Sequence, residues 1–371
     1  IILLGDMQQG EVVVSGTLAA EGKNGQDGGF IETSAARVKI EQGTKVSTLS
    51  DTAQTGTWLI DPTDFTIAAT GGDITGSDLS NNLTTNNITI QSTNGSTGDS
   101  GDINVNDNVT WSANRLTLNA LNDININAEM TASSTAGLAL EYGQAAVQSG
   151  NTATYYVNAP INLASTGSFS TKLGNDGAVK NYTIITSLGS AGSTTGTDLQ
   201  GIDGNVSGDY VLGSDIDAAA SAGWNSGEGF NPIGRTSNTS AISFSGTLDG
   251  LGHTVDNLTV NRPNNIYAGL IAYNNGDIRN IGMVGGSVKG AVYTGGLVGS
   301  NSGSITNAYA TGDVSANSNI STYSSYAGGL VGVNTGSGNI ENAYATGDVS
   351  ASYSFSSSAG GLVGVNYGSI E

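Results

Sequence analysis

The sequence predicts an all-β chain wound as a parallel β-helix, an elongated solenoid of stacked coils. Three observations carry that expectation. One unit is copied four times towards the C-terminal end, short apolar alternations of period two precede it, and turn-forming residues abound.

The copies come first. "AGLIAYNNGDIRN" begins at Ala268, "GGLVGSNSGSITN" at Gly295, "GGLVGVNTGSGNIEN" at Gly328 and "GGLVGVNYGSIE" at Gly360. Aligned on Gly269, Gly296, Gly329 and Gly361, they are spaced by roughly 27, 33 and 32 residues, a solenoid period. The alignment writes ladders: Leu270, Leu297, Leu330 and Leu362; Asn274, Asn301, Asn334 and Asn366; Ile278, Ile305, Ile340 and Ile370. An apolar residue at one place in every unit stacks on itself inside a coil, and an asparagine there hydrogen-bonds up and down the stack. The glycines permit close backbone approach at corners. Ser/Asn/Tyr-rich inserts such as "ANSNISTYSSY" read as loops. The phrase "NAYATGDVSA", at Asn307 and again at Asn342, places Asp313 and Asp348 as stacked turn residues and points Val314 and Val349 to the core.

Upstream the copies vanish and the rhythm stays. "NNITIQS", "GDINVNDNV", "NRLTLNA" and "NDININAEM" each alternate two apolar residues with polar ones between Gly, Asn and Asp. No window sustains helical spacing over three turns, and the best helix candidate, "AGLALEYGQAAVQSG" from Ala136, is short and carries a central glycine that argues against helix. In "TLDGLGHTV" an Asp-Gly turn separates two strand-like pieces. The organisation read from these patterns is regular coils over 1–150, loop-rich connecting coils over 151–265, and repeat coils over 266–371.

Composition narrows function. Glycine is 56 of 371 residues but proline only 4, and charged residues are 11%, so the chain is no disordered linker. A net charge of −20 repels phosphate and argues against nucleic acid, leaving divalent cations, basic surfaces and neutral sugars as partners. Cysteine is absent, so stability rests on packing and hydrogen bonds. No apolar run is long enough to span a bilayer as a helix. "IILLGDMQQGEVVVSG" does not read as a natural start and "GGLVGVNYGSIE" stops inside a repeat, so a piece of something longer is expected.

"GGLVG" followed by "NAYATGDVS" resembles the GLUG motif of large bacterial surface and secreted proteins. "GGFIETSAARVKI" from Gly28, "TGTWLIDPTDFTI" from Thr55 and "GDINVNDNVTWSANRLTLNALNDININAEMTAS" from Gly101 resemble filamentous-haemagglutinin-type adhesins of the two-partner secretion pathway. "YTIITSLGSAG" and "LQGIDGNVSGDYVLGSDIDAAASAGWNSGEGFNPIG" resemble the segment joining such coils to GLUG units. The resemblance implies a right-handed β-helical fibre on a Gram-negative surface, exported unfolded through an outer-membrane β-barrel transporter. The family's secretion-recognition domain and surface anchor have no counterpart in these residues.

Chemistry is sparse. The one histidine, His253, reads as a turn or strand-edge residue. Serine-elbow and phosphate-loop motifs are absent. Asp215 and Asp217 lie two apart on one strand face, and Asp61 and Asp64 flank Pro62. A glycosidase needs two carboxylates about 5–10 Å apart, but turn capping accounts for these more simply. No EF-hand or nonapeptide calcium array occurs, so no cofactor is expected, with calcium left open by the acidity. Tyr309 and Tyr344 share a repeat position, as do Tyr293 and Tyr326, and read as ladders. Tyr323, Tyr353 and Tyr367, in or beside the variable segments, are the candidate ligand contacts.

The reading is a right-handed β-helix of roughly fifteen coils at about 25 residues each, on the order of 70 Å long. Its function is expected to be non-enzymatic: a secreted, cell-surface adhesive segment binding glycan or protein on another cell, a host surface or a biofilm matrix by many weak contacts. The alternatives are a polysaccharide-processing enzyme on the same fold and a filament subunit that associates with itself.

Overall fold

The computed structural model describes residues 1–93, 100–147, 150–318, 324–352 and 356–371. They form a parallel β-solenoid of about 12 turns. Coils are larger than expected, which is why there are fewer of them. Leu116 pairs with Leu138 in the tightest coil, but Tyr210 pairs with Leu248 across a coil swollen by the 3₁₀ segment Ala219–Gly227. The chain divides into two compact units, Ile1–Tyr182 and Thr183–Glu371.

In the first unit the alternating segments become strands in register. Ile88 pairs with Leu116, Leu116 with Leu138 and Leu138 with Phe169, and all four are buried. On another side Phe65, Ile103, Ile124 and Tyr155 stack in the same way. Period two puts these residues inward and Thr66, Asn104 and Asn125 outward. The stretch from Ala136 is a strand, Gly137–Tyr142.

Two features of this unit depart from the sequence reading. An α-helix, Gly76–Leu83, fills one turn. It is two turns long, too short for a three-turn test, but Thr75 and Asp78 form a capping pair: the Thr75 hydroxyl accepts from the Asp78 N–H and donates to its carboxylate. Its Asn82 accepts from Val46 N at 2.7 Å, and Asn86 donates to Val46 O at 2.8 Å. Those amides satisfy the edge of strand Lys45–Ser47, which among the described residues shares its sheet with Thr17–Ala19 alone. Second, pairing is not parallel throughout. After Ser168–Leu173 the chain turns at Gly174–Gly177, with Gly174 at φ 77°, and Lys180, Asn181 and Tyr182 pair antiparallel with Thr171, Ser170 and Phe169.

In the second unit Thr183–Ile185 pairs parallel with Tyr210–Leu212, and Tyr210 then pairs with Leu248 and Leu248 with Ile278. Thr247–Asp249 and Thr254–Asp256, the pieces either side of the Asp-Gly turn, do not pair with each other. Both lie along one longer strand, Asp277–Val284, so the turn is a corner within a coil and not a hairpin. From there the repeats hold register: Ile278, Ile305, Ile340 and Ile370 are successive partners. Leu270, Leu297 and Leu330 are fully buried beside them. Among the described residues no helix is long and apolar enough to cross a membrane.

Candidate interaction surface of the repeat coils

The asparagine ladder lies inside the wall. Asn274 donates to Asn301 Oδ1 at 2.8 Å, Asn301 to Asn334 at 2.9 Å and Asn334 to Asn366 at 2.8 Å. Each amide also donates to a glycine carbonyl of its own turn: Gly276, Gly303, Gly338 and Gly368, all at 3.2 Å. The first three asparagines are fully buried. These amides are consumed in holding the turn and offer nothing to a ligand. A second column, unmarked as a ladder in the sequence reading, is Asn280, Asn307 and Asn342. These residues adopt left-handed φ of 53°, 52° and 49° and bend each long strand in mid-course. Asn307 donates to Asn280 at 3.1 Å, and Asn280 to the buried Asp249 at 3.0 Å, which also receives Arg279 Nε at 2.8 Å.

The "GGLVG" phrase is a place where successive coils touch through their backbones. A Cβ on Gly328 would stand 2.6 Å from Gly364 N of the next coil, and one on Gly332 2.5 Å from both Gly299 O and Thr294 N of the preceding one. Only glycine fits that approach.

The tyrosines stand on the outside. Tyr267, Tyr293 and Tyr326 form one half-buried column with ring centroids 5.6 Å apart at each step. Tyr267 extends the pair read from sequence by one coil. Tyr309 and Tyr344 stack at 5.0 Å with 4° between their planes. In such columns each ring's face covers the next, so edges and hydroxyls meet the solvent. Beside them Tyr273, Ser302 and Thr335 join hydroxyls at 2.8 and 2.7 Å. Of the three candidate contact tyrosines, Tyr367 is 72% exposed. Tyr323 and Tyr353 lie outside the described residues. Asp313 is exposed, and its carboxylate accepts from Asp348 N at 3.2 Å, one turn residue bonded to its copy. Beyond Lys289 the sequence holds neither Lys nor Arg, so from residue 290 onward the repeat coils carry no side-chain cation for a polyanion.

Three of the four carboxylates singled out from the sequence, Asp215, Asp217 and Asp64, are engaged with the scaffold. Asp215 accepts from Thr254 N at 3.0 Å and lies 3.1 Å from Nδ1 of the buried His253. Burial works against its charge, but these hydrogen bonds outweigh it and hold its carboxyl below the usual range. Asp217 caps Ala219 N at 3.0 Å and is the register partner of Asp256 on the next strand. Asp64 gathers Ser100, Gly101 and Asp102 N–H groups at 2.6–3.3 Å. Asp61 differs. Burial, helped by the charge of Glu32 and opposed by the Thr93 hydroxyl, pushes its carboxyl up to about 6, and its Oδ1 has no hydrogen-bond partner. Among the described residues no three His, Asp or Glu side chains converge as metal ligands.

The GLUG motif matches residues 290–315 and 323–350. The chain is also similar to Halomucin of Haloquadratum walsbyi, 40% identical over 112 residues, covering 28% of this chain and 1% of Halomucin. It therefore spans only a very small part of that relative. No solved structure matches.

Proposed function

We propose that the chain is a structural and adhesive segment of a large secreted bacterial surface fibre of filamentous-haemagglutinin type. It attaches cells to other cells, to a host surface or to a biofilm matrix. The observation that carries this reading is repetition in register: outward positions of the repeat coils recur on the next strand, about 4.8 Å away, and at Tyr309 and Tyr344, Tyr293 and Tyr326, and Ser315 and Ser350 the side chain recurs with them. One weak contact to a glycan or protein is thereby multiplied without any pocket. The GLUG matches support it, as does likeness to a protein of which the aligned stretch is 1%. In this reading the chain reaches the surface through an outer-membrane β-barrel transporter, a route that suits a chain without cysteine. It is not an enzyme and needs no cofactor, calcium acting at most as a bridge.

The test is a glycan array and a cell-binding assay on the purified chain, with and without calcium. Binding that strengthens when the chain is displayed in many copies supports the reading. Binding to no glycan and no cell overturns it, and fibres that grow with concentration would then favour a self-assembling filament. The register pair Asp217 and Asp256, beside Asp215, favours a polysaccharide-processing enzyme as second reading. Reducing ends released from polysaccharide, and lost in Asp217→Asn, would establish it.

A further inference from the structure

Stacked tyrosines hold a chemistry that the proposed adhesion does not use. Tyr309 and Tyr344 are register partners on adjacent strands, with ring centroids 5.0 Å apart and planes 4° from parallel. Tyr344 is 53% exposed and Tyr309 half-buried. Below them the same column holds Gly282, where a Cβ would meet Tyr309 Cζ at 2.4 Å, so the Tyr309 ring lies over that glycine and its other face meets Tyr344. We infer that Tyr309 and Tyr344 form an oxidative cross-linking site, at which a haem peroxidase with hydrogen peroxide couples the two rings into dityrosine and staples one coil to the next.

The chemistry balances. Each phenol loses one electron and its hydroxyl proton to give a phenoxyl radical. The radicals join through the ring carbons ortho to oxygen, and the two ring protons displaced there return to the phenol oxygens. One peroxide takes the two electrons and two protons and becomes two waters. The geometry supplies what the coupling needs. The second radical forms within a ring tilt of the first, and solvent, which reaches both rings, takes the phenol protons. Tyr293 and Tyr326 stack at 5.6 Å and 9° but are both half-buried, which makes them the slower pair. The bond would close a loop from residue 309 to residue 344 in a chain without cysteine, and so restrict the unfolded state as a disulfide does.

The experiment treats the purified chain with a haem peroxidase and limiting peroxide, then reads dityrosine fluorescence and maps the cross-linked peptides. Cleavage before aspartate places Tyr309 in 277–312, Tyr344 in 313–347 and Tyr367 in 348–371, and fragmentation then assigns the tyrosine. The expected product is a Tyr309–Tyr344 link within the monomer, with a raised thermal midpoint, lost in Tyr344→Phe and in denaturing urea. Coupling only between molecules through the exposed Tyr367 or Tyr156, or as much Tyr309–Tyr344 product in urea as in native buffer, overturns the inference. Should Tyr344→Phe not fold, the native-against-urea contrast on the unaltered chain still decides.

Discussion

The first-unit coils and the repeat coils solve one packing problem with different sequence. In the first unit the central ladder runs Ile88, Leu116, Leu138 and Phe169, no step identical to all the others. In the repeats it runs Ile278, Ile305, Ile340 and Ile370. Apart from Ile370, which is 43% exposed, both are buried, so a coil needs an apolar residue in register and not a particular one. Identity is demanded elsewhere. It falls on the asparagine turn, where each amide must meet the next, and on the glycine corner, where coils touch backbone to backbone. Repetition in this chain is thus a property of corners more than of the core.

The sharpest way to break that comparison is at a corner. Gly332→Ala puts a methyl 2.5 Å from two backbone atoms of neighbouring strands, while at Gly336 the nearest atom a Cβ would meet is 4.0 Å away. We expect Gly332→Ala to cost about 3 kcal/mol or to prevent folding and Gly336→Ala to be near neutral, read by circular dichroism against urea. Next, Leu138→Ala and Leu330→Ala, one in each unit and both fully buried, should cost about the same, roughly 3 kcal/mol. A large inequality would show that one unit's core carries more than the other's. Third, Asn301→Leu strands the Asn274 amide and the Asn334 carbonyl oxygen, for about 2 kcal/mol. The first unit's outer amide Asn127, bonded to Asn106 and Asn158 in solvent, should lose about 0.5 kcal/mol or less as Ala. Equal losses would remove the distinction between an inner and an outer ladder.

The smallest effect concerns Asp61 in the first unit. Its carboxyl rises from 3.8 to about 6 on folding, so the folded chain holds this proton more tightly than the unfolded one. The resulting stability is complete below pH 4 and is lost as pH rises through 6. Asp61→Asn should therefore be more stable than the unaltered chain at pH 7, by about 1 kcal/mol after allowance for solvent screening. The two should converge near pH 4. Thermal melts across that range check the sign, and a gap that widens towards acid contradicts it.

Much of this was legible in the sequence because a solenoid writes its contacts as periodicity. Leu270, Asn274 and Ile278 each predict their partner one repeat on, and the structure pairs or stacks them so. The helix Gly76–Leu83 escaped because eight residues give too little periodicity, although its Thr75–Asp78 cap is a local signal. The reversal at Gly174 escaped because a hairpin and a coil corner use the same turn residues. The Asn280 column escaped because left-handed backbone is a conformation, which the letter N permits without requiring. Asp61 reads as a carboxylate beside a proline, and only its burial near Glu32 makes it unusual.

By itself the sequence determined that this chain winds into parallel coils and which residues stack in them. Those follow from composition and spacing, and both survive in one dimension. The tertiary structure decided which ladders are consumed inside the wall and which face outward. It turned the "GGLVG" glycines into backbone contacts, covered the tyrosine faces, and set Tyr309 parallel to Tyr344 at 5.0 Å. Those depend on distances between coils, and residues some thirty positions apart acquire a distance only when the chain has closed each turn.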